Sequence, residues 1–197
     1  MELVLYFAPG ASSMAPHIAL NEVGAPFEAR PVSFAVKEQR EAPFLALNPE
    51  GKIPLLLVDG RPMTEVAGIL WFLARAFPQA GLLPAGGPET EGQTVSWMSF
   101  IAATLHPSRR QGLEHAQTVW ALAEDRLARA GGFWAVGDTY SIADIHLFRL
   151  FWRLAASLNP PREAFPTLYA HHDRILARPA VQRTIEVEAA VGYHLPA

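Results

Sequence analysis

The chain has 197 residues, enough for one ordinary domain or two small ones, and half of them are hydrophobic while 18% are charged. This composition is typical of a globular protein, and a chain of this length buries roughly 70% of the surface that it exposes when unfolded. The net charge of −3 and the lack of a run rich in Lys and Arg argue against binding to nucleic acid or to an acidic membrane. Because the sequence has no cysteine, disulfides, thiolate metal sites and a cysteine nucleophile are excluded.

The first ten residues carry an acid at position 2 and only a short apolar run, so they do not have the pattern of a secretory signal peptide. No apolar stretch reaches the ~18 residues that a membrane span requires. We therefore expect a cytoplasmic protein that is not inserted in a membrane.

The first 77 residues contain both strand and helix patterns. Strand patterns are short apolar runs bounded by turn residues, and they lie at residues 2–7, 27–32, 55–58 and around 62–63. Helical patterns lie at residues 13–24, 44–47 and 65–77. Asp59-Gly60 predicts a hairpin between the last two strands, and we expect a hydroxyl of Ser12 or Ser13 to cap the first helix. The order of elements is βαβ followed by ββα.

The second half has helical patterns only. Residues 78–88 are rich in Gly, Pro and Ala and are predicted to be a linker. Apolar residues at helical spacing follow at residues 95–105, 119–130, from 141 onward and at 168–177. The second of these helices is expected to stop at Gly131-Gly132, and Ser141 with Asp144 forms a capping box that opens the third. We predict domains at residues 1–77 and 89–197.

The most informative segment is Asn48-Pro49-Glu50-Gly51-Lys52-Ile53-Pro54-Leu55-Leu56-Leu57, followed by Thr64-Glu65-Val66. It resembles the glutathione transferases, whose first half carries NPxGxVPxL, a hairpin, and an acidic residue that opens a helix. The stretches YFAPGASS (residues 6–13) and IAATLH (residues 101–106) resemble the bacterial beta-class branch in particular. The resemblance spans nearly the whole chain. It implies an α/β thioredoxin-like N-terminal domain that binds glutathione, followed by an all-α C-terminal helical bundle.

The resemblance also implies how glutathione would be held. The Ile53–Pro54 bond would be cis, although most X-Pro bonds are trans, and the Ile53 backbone would pair with the cysteinyl unit of glutathione. Glu65 would receive the α-amino group of the γ-glutamyl unit, and the backbone N–H groups after it would bind that unit's carboxylate. Alternatively, Glu65 only complements the helix dipole. Lys37 would reach the glycyl carboxylate, or is a solvated lysine.

Two positions depart from the family pattern. Val66 stands where the family commonly has Ser or Thr, so a hydroxyl for the γ-glutamyl carboxylate is lost; a hydrogen bond to a charged group contributes about 1.5–3 kcal/mol. Ser12 stands where the beta-class pattern often has cysteine. A serine cannot form a mixed disulfide, but its O–H can donate to the glutathione sulfur and favour the thiolate. Ser13 is the neighbouring candidate for this role.

His106 lies at a helix end, where a lone histidine is more often structural. The beta-class resemblance implies that it faces the glutathione sulfur across the domain cleft, where a pKa of ~6.5 suits proton exchange near neutral pH. Ser99 is implied as a polar wall position of the same site. His171-His172-Asp173 could suggest a metal site, but consecutive residues point to different faces of a helix, so no metal is expected there.

Three functions follow from these residues and from the resemblance. The first is a glutathione transferase that conjugates the glutathione thiolate to small hydrophobic electrophiles, needs no metal or prosthetic group, and forms a homodimer. The second is a non-catalytic ligand-binding or interaction protein with a transferase fold, favoured by the departures at Ser12 and Val66. The third is a glutathione-dependent isomerase or peroxidase.

Overall fold

The computed structural model describes residues 1–131 and 133–193, and the chain divides into two compact units. The first unit comprises Met1–Ala80 together with residues 179–193, and the second comprises Gly81–Arg178. This division differs from the predicted boundaries, which placed residues 89–197 in one domain. Gly132, expected to help stop a helix, and residues 194–197 of the predicted second domain lie outside the described residues.

A four-stranded mixed sheet with helices on its faces forms the first unit. Its elements up to residue 76 are β1 (Leu3–Phe7), α1 (Met14–Val23), β2 (Glu28–Pro31), α2 (Ala42–Leu47), β3 (Leu55–Val58), β4 (Arg61–Thr64) and α3 (Val66–Ala76). The strand order is β2-β1-β3-β4, with β1 parallel to β2 and antiparallel to β3, and with β3 antiparallel to β4. The predicted βαβ–ββα order of a thioredoxin-like domain is confirmed.

Side chains alternate between the two faces of this sheet, as the pleat of a strand requires. On one face Val4, Leu55 and Leu57 form a buried cluster with Phe44 of α2. On the other face the ring of Phe7 lies 5.1 Å from the imidazole of His17 on α1. Both faces are therefore covered by helices.

The hairpin between β3 and β4 turns at Asp59 and Gly60, as predicted. Both residues have positive φ angles, 49° and 77°, and Val58 pairs with Arg61 across the turn. A two-residue turn with both φ angles positive matches the twist of the flanking strands. The turn fixes the register between β3 and β4, and β4 leads directly into α3.

The predicted cap of α1 is wrong. Ser13 occupies the N-cap position, but its backbone is helical and its side chain makes no capping hydrogen bond. A capping side chain must accept an N–H of the first turn, whereas the Ser13 hydroxyl bonds to the backbone of Ala8 and the Ser12 hydroxyl bonds to that of Ile53. The predicted helix end at Gly24 is confirmed by its left-handed conformation.

In the second unit, the regular elements of the described residues are helices. They are α4 (Gly87–Phe100), α5 (His106–Ser108), α6 (Leu113–Arg129), α7 (Ile142–Leu158) and α8 (Pro166–Leu176). One π-helical turn, Ile101–Leu105, joins α4 to α5. Helix α4 begins inside the predicted linker. Over the described residues 1–131 and 133–193, none of the helices has both the length and the apolar character needed to cross a bilayer.

The core of the second unit lies around α7, whose first ten residues are all buried. The Phe151 ring lies 5.5 Å from Trp120 of α6 and 5.0 Å from Tyr169 of α8, measured between ring centroids. The predicted capping box at the start of α7 is confirmed, since the Ser141 N–H donates to Asp144 Oδ2 at 2.8 Å.

The last helix, α9 (Pro179–Val191), packs against α1 of the first unit. The sequence analysis predicted no helix after residue 177. A buried contact between the two helices accounts for this placement: Glu188 Oε1 is 2.9 Å from Nδ1 of His17, and both side chains are almost fully buried. Residues 179–193 thus group with the first unit, whereas the predicted boundaries placed them with the helical bundle.

Candidate functional site

The loop between β1 and α1 is held in place from three sides. The Ser13 hydroxyl donates to the Ala8 carbonyl at 3.2 Å and accepts the Ala8 N–H at 3.1 Å. The Ala11 N–H donates to the Ala8 carbonyl at 2.9 Å. The Gly10 N–H donates to Glu188 Oε2 at 2.7 Å. Fixed in this way, the loop holds Ser12, two residues after Gly10, at a defined position.

Ser12 is half-buried, and its hydroxyl donates to the Ile53 carbonyl at 3.0 Å. The start of α1 is thereby connected to the segment before β3. Ser13, in contrast, is fully buried and both of its hydrogen bonds are made to Ala8. The two serines therefore have different surroundings, and only Ser12 lies beside the backbone of Ile53.

The Ile53–Pro54 peptide bond is cis, as the resemblance implied. Asn48 supports the turn before it, because its Nδ2 donates to the Lys52 carbonyl at 2.8 Å and its Oδ1 accepts the Glu50 N–H at 3.2 Å. Asn48 is itself buried. The first residue of the recognised motif thus holds the backbone that leads into Ile53.

Glu65 precedes the first turn of α3 and has an unusual backbone, with φ of 64° and ψ of 127°. A non-glycine residue in this region is strained by about 1–3 kcal/mol, and such residues cluster at functional sites. Its side chain is exposed, while that of Val66 is buried. On Gly68, in the first turn, no atom lies within 4 Å of the position that a Cβ would occupy, so the surface there is open. The N–H groups of this turn have no acceptor within the helix.

Lys37 lies in the turn that follows β2, with an exposed side chain and a left-handed backbone, φ 57°. The Lys37 N–H donates to the Phe34 carbonyl at 3.2 Å, and the Ser33 N–H donates to Glu38 Oε2 at 2.8 Å. These two hydrogen bonds give the turn a defined shape and place the Glu38 carboxylate on its inner side.

A cavity of about 290 Å³ lies between this turn, the loop after β1 and the end of α9. All of these segments belong to the first unit. The walls are mainly apolar and include Pro9, Val32, Phe34 and Val191. Glu38 is the only charged side chain among the described residues that line it. The cavity shares Pro9 with the loop that leads to Ser12.

In the second unit, His106 follows the π-helical turn and is exposed. Such turns occur often at functional sites. Burial, together with the charges of Arg149 and His106, lowers the pKa of His146 on α7 to about 3. The His146 imidazole is therefore neutral at physiological pH. Ser99 is exposed on α4.

The histidines of α8 have separate partners. His171 Nε2 lies 2.9 Å from Asp144 Oδ1, and His172 Nδ1 lies 3.0 Å from Asp173 Oδ1. The prediction that these neighbours point in different directions is confirmed. The residues that the structure describes contain no group of three or more His, Cys, Asp or Glu able to hold a metal ion.

Of the predicted site residues, the structure brings Ser12 and Ile53 into contact and places Glu65 immediately before the first turn of α3. It also shows two acidic residues that sequence reasoning missed, Glu38 and Glu188. No sequence pattern marks either glutamate as functional, because the contacts of both are known only from the fold. Asn48 could have been recognised from the sequence, since it opens the NPxGxVPxL motif.

Comparison with known proteins agrees with this architecture. The family model of the glutathione S-transferase N-terminal domain matches residues 12–76, and that of the C-terminal domain matches residues 79–179. Glutathione S-transferase GstA of Escherichia coli is 33% identical over 198 residues, covering 93% of this chain and 98% of the relative. A maleylacetoacetate isomerase of Pseudomonas aeruginosa is 24% identical over 203 residues, covering 93% and 94%.

Among solved structures, a sphingomonad glutathione S-transferase complexed with glutathione superimposes with a TM-score of 0.78. It is 35% identical, and the match covers 94% of this chain and 98% of that one. The family models together span most of the chain, and the relatives match over nearly their full lengths. The chain belongs to the glutathione S-transferase family.

Proposed function

We propose that this protein is a cytoplasmic glutathione transferase that conjugates the thiolate of glutathione to small hydrophobic electrophiles. The observation that carries the proposal is the contact between the Ser12 hydroxyl and the Ile53 carbonyl. Ser12 is the proposed hydrogen-bond donor to the glutathione sulfur, and the Ile53 backbone is the proposed partner of the cysteinyl unit. Membership of the transferase family and the glutathione-bound relative support it. No metal or prosthetic group enters the proposal.

Glutathione would replace one hydrogen bond at this contact with two. The N–H of its cysteinyl unit would donate to the Ile53 carbonyl, in the manner of a strand added beside Ile53. The Ser12 proton, no longer needed by that carbonyl, would then point at the sulfur. A hydrogen bond to the thiolate stabilises the ionised form and lowers the pKa of the thiol.

Ser12 and Ser13 should differ sharply when each is replaced with alanine. Ser12→Ala is expected to lower kcat/KM by about 10- to 100-fold, the effect of losing a hydrogen bond to a charged group. It should also shift the pH–rate profile upward, since the thiol then ionises at higher pH. Ser13→Ala should mainly lower the free energy of unfolding, by about 1–3 kcal/mol, because the buried Ala8 backbone loses its partners.

The measurement is the pH dependence of kcat/KM for both variants, with Ser157→Ala as the control. Ser157 is exposed on α7 and bonds only to carbonyls of its own helix. An unchanged pH profile in Ser12→Ala would show that Ser12 does not donate a hydrogen bond to the glutathione thiolate.

Glu65 and the first turn of α3 form the proposed site for the γ-glutamyl unit. The Glu65 carboxylate would bind the α-amino group, and the open N–H groups of the turn would bind the carboxylate. Val66 supplies only a backbone N–H here, so we expect modest affinity. Lys37 is proposed to bind the glycyl carboxylate.

Calorimetric titration with glutathione tests this site directly. Glu65→Gln should weaken binding by about 10- to 100-fold, the effect of removing a charged hydrogen-bond acceptor. Glu89→Gln, an exposed acid in the first turn of α4, is the matched control and should bind as the wild type does. Equal affinity of the Glu65 variant and the wild type would show that the carboxylate does not contact the ligand.

The second unit supplies the proposed acid–base group, His106, and the wall residue Ser99. A homodimer is proposed from the resemblance to the family. The principal alternative is a glutathione-dependent isomerase, which one relative favours by its name. Detection of a conjugate with an aryl chloride would support the transferase; turnover restricted to cis–trans conversion of an unsaturated acid would support the isomerase.

A further inference from the structure

The cavity beside the loop after β1 has a wall composition that restricts its ligand. Pro9, Val32, Phe34 and Val191 offer flat or branched apolar surfaces, and the volume is about 290 Å³. Ligand pockets generally begin at about 300 Å³. The cavity therefore suits one small ring with short substituents, held mostly by burial of its apolar surface.

The charge of the wall is a second restriction. Glu38 is half-buried, its Oε2 accepts the Ser33 N–H at 2.8 Å, and it forms no ion pair with any residue in the described ranges. The carboxylate is thus fixed in position and not neutralised by a cation. An anionic ligand in the cavity would meet a like charge on its wall, which is disfavoured.

The position of the cavity connects it to the proposed thiol site. Its wall includes Ala8 and Pro9, and the same loop continues through Gly10 to Ser12. The Ser13 hydroxyl and the Glu188 carboxylate hold this loop at Ala8 and Gly10. A ring bound in the cavity and a sulfur beside Ser12 would therefore contact one continuous, rigid segment.

We infer that this cavity binds the electrophile, that it selects small uncharged aromatic electrophiles, and that Glu38 excludes those bearing a carboxylate. The inference rests on the proposed transferase function. In the reaction the thiolate sulfur forms a C–S bond at the ring carbon that carries chloride. The electron pair of the C–Cl bond leaves with the chloride ion, so no oxidant or further reactant is needed.

Two nearly isosteric substrates test the role of Glu38, namely 4-chloro-3,5-dinitrobenzamide and 4-chloro-3,5-dinitrobenzoate. For each, kcat/KM is divided by the uncatalysed rate constant with glutathione, which removes the difference in intrinsic reactivity. The ratio of these two values cancels any effect on glutathione itself. We expect the wild type to favour the amide by about tenfold or more, the size of effect that a like charge in a pocket produces.

Glu38→Gln retains an oxygen for the Ser33 N–H and loses the charge. Its preference for the amide should fall to about threefold or less, mainly because the benzoate reacts faster. An unchanged ratio in Glu38→Gln would overturn the inference while leaving the transferase proposal intact. Failure of the wild type to accelerate either substrate would instead overturn the transferase proposal, and the inference with it.

Substitutions on α9 test whether the electrophile binds in this cavity. Val191→Trp fills the cavity and should raise KM for the amide by about fivefold or more, since the apolar surface that holds the ring is taken up. Val187→Trp, one turn earlier and outside the cavity wall, is the control and should stay within about twofold. Both positions are partly exposed, at 46% and 39%, so neither variant disturbs the core. Equal KM values for the two variants would place the electrophile elsewhere.

Discussion

Asp144→Ala is expected to lower the free energy of unfolding by about 3–5 kcal/mol, the cost of removing one partner from a buried charged network. Asp144 is fully buried at the start of α7. Its Oδ1 accepts the Ala135 N–H at 2.7 Å and lies 2.9 Å from His171 Nε2. Its Oδ2 accepts the N–H and the hydroxyl of Ser141, each at 2.8 Å.

The size of this effect follows from what the substitution leaves behind. The Asp144 carboxylate bonds to three parts of the unit: Ala135 in the connection before α7, the N-cap residue Ser141, and His171 on α8. Without it, buried donors of Ala135 and Ser141 lose their acceptor, and each such group costs about 1–3 kcal/mol. The capping box alone would account for only about 1 kcal/mol.

Urea unfolding followed by circular dichroism measures the change. Asp138→Asn, an exposed acid in the same connection, is the control and should stay within about 0.5 kcal/mol of the wild type. A loss of only about 1 kcal/mol in Asp144→Ala would mean that the residue acts as a helix cap and nothing more.

Glu188→Ala is the second large effect, with an expected loss of about 3–5 kcal/mol. The carboxylate is fully buried and bonds to both His17 and the Gly10 N–H. Removing it leaves a buried imidazole and a buried N–H without their acceptor. Because Gly10 lies two residues before Ser12, the loop should also loosen and kcat/KM should fall by more than stability alone predicts.

Three variants of α9 separate these contributions. Glu188→Gln keeps an acceptor oxygen and should recover part of the stability and of the activity. Glu186→Ala, exposed on the same helix, is the control and should be close to neutral. The comparison is made by urea unfolding and by kcat/KM at a temperature where every variant is folded. If Glu188→Ala is as stable as Glu186→Ala, the buried contact between Glu188 and His17 does not hold α9 against α1.

Local chemistry explains which elements could be predicted from the sequence. Gly24 ends α1 and Asp59-Gly60 turns the hairpin because few other residues adopt a left-handed backbone at low cost. The capping box at Ser141 and Asp144 is likewise a short-range pattern. The order of strands followed from apolar runs bounded by turn residues.

Long-range partners explain what could not be predicted. The Ser13 hydroxyl was expected to cap α1 because a serine before a helix commonly does so. In the fold, the Ala8 backbone lies close enough to take both of its hydrogen bonds. The packing of α9 against α1 could not be predicted for the same reason, because the contact between Glu188 and His17 joins positions 171 residues apart. The role of Glu38 depends on a cavity that exists only after three segments meet.

The spectrum of bound glutathione tests the central claim most directly. The claim is that this chain binds glutathione with its sulfur beside Ser12 and ionises it. Ultraviolet difference spectra of the wild type saturated with glutathione should show thiolate absorbance at a pH well below the ordinary thiol pKa of about 8.5. Ser12→Ala, also saturated, should show the same absorbance only at higher pH. No thiolate signal from the saturated wild type at neutral pH, or the same titration in both proteins, would contradict the account.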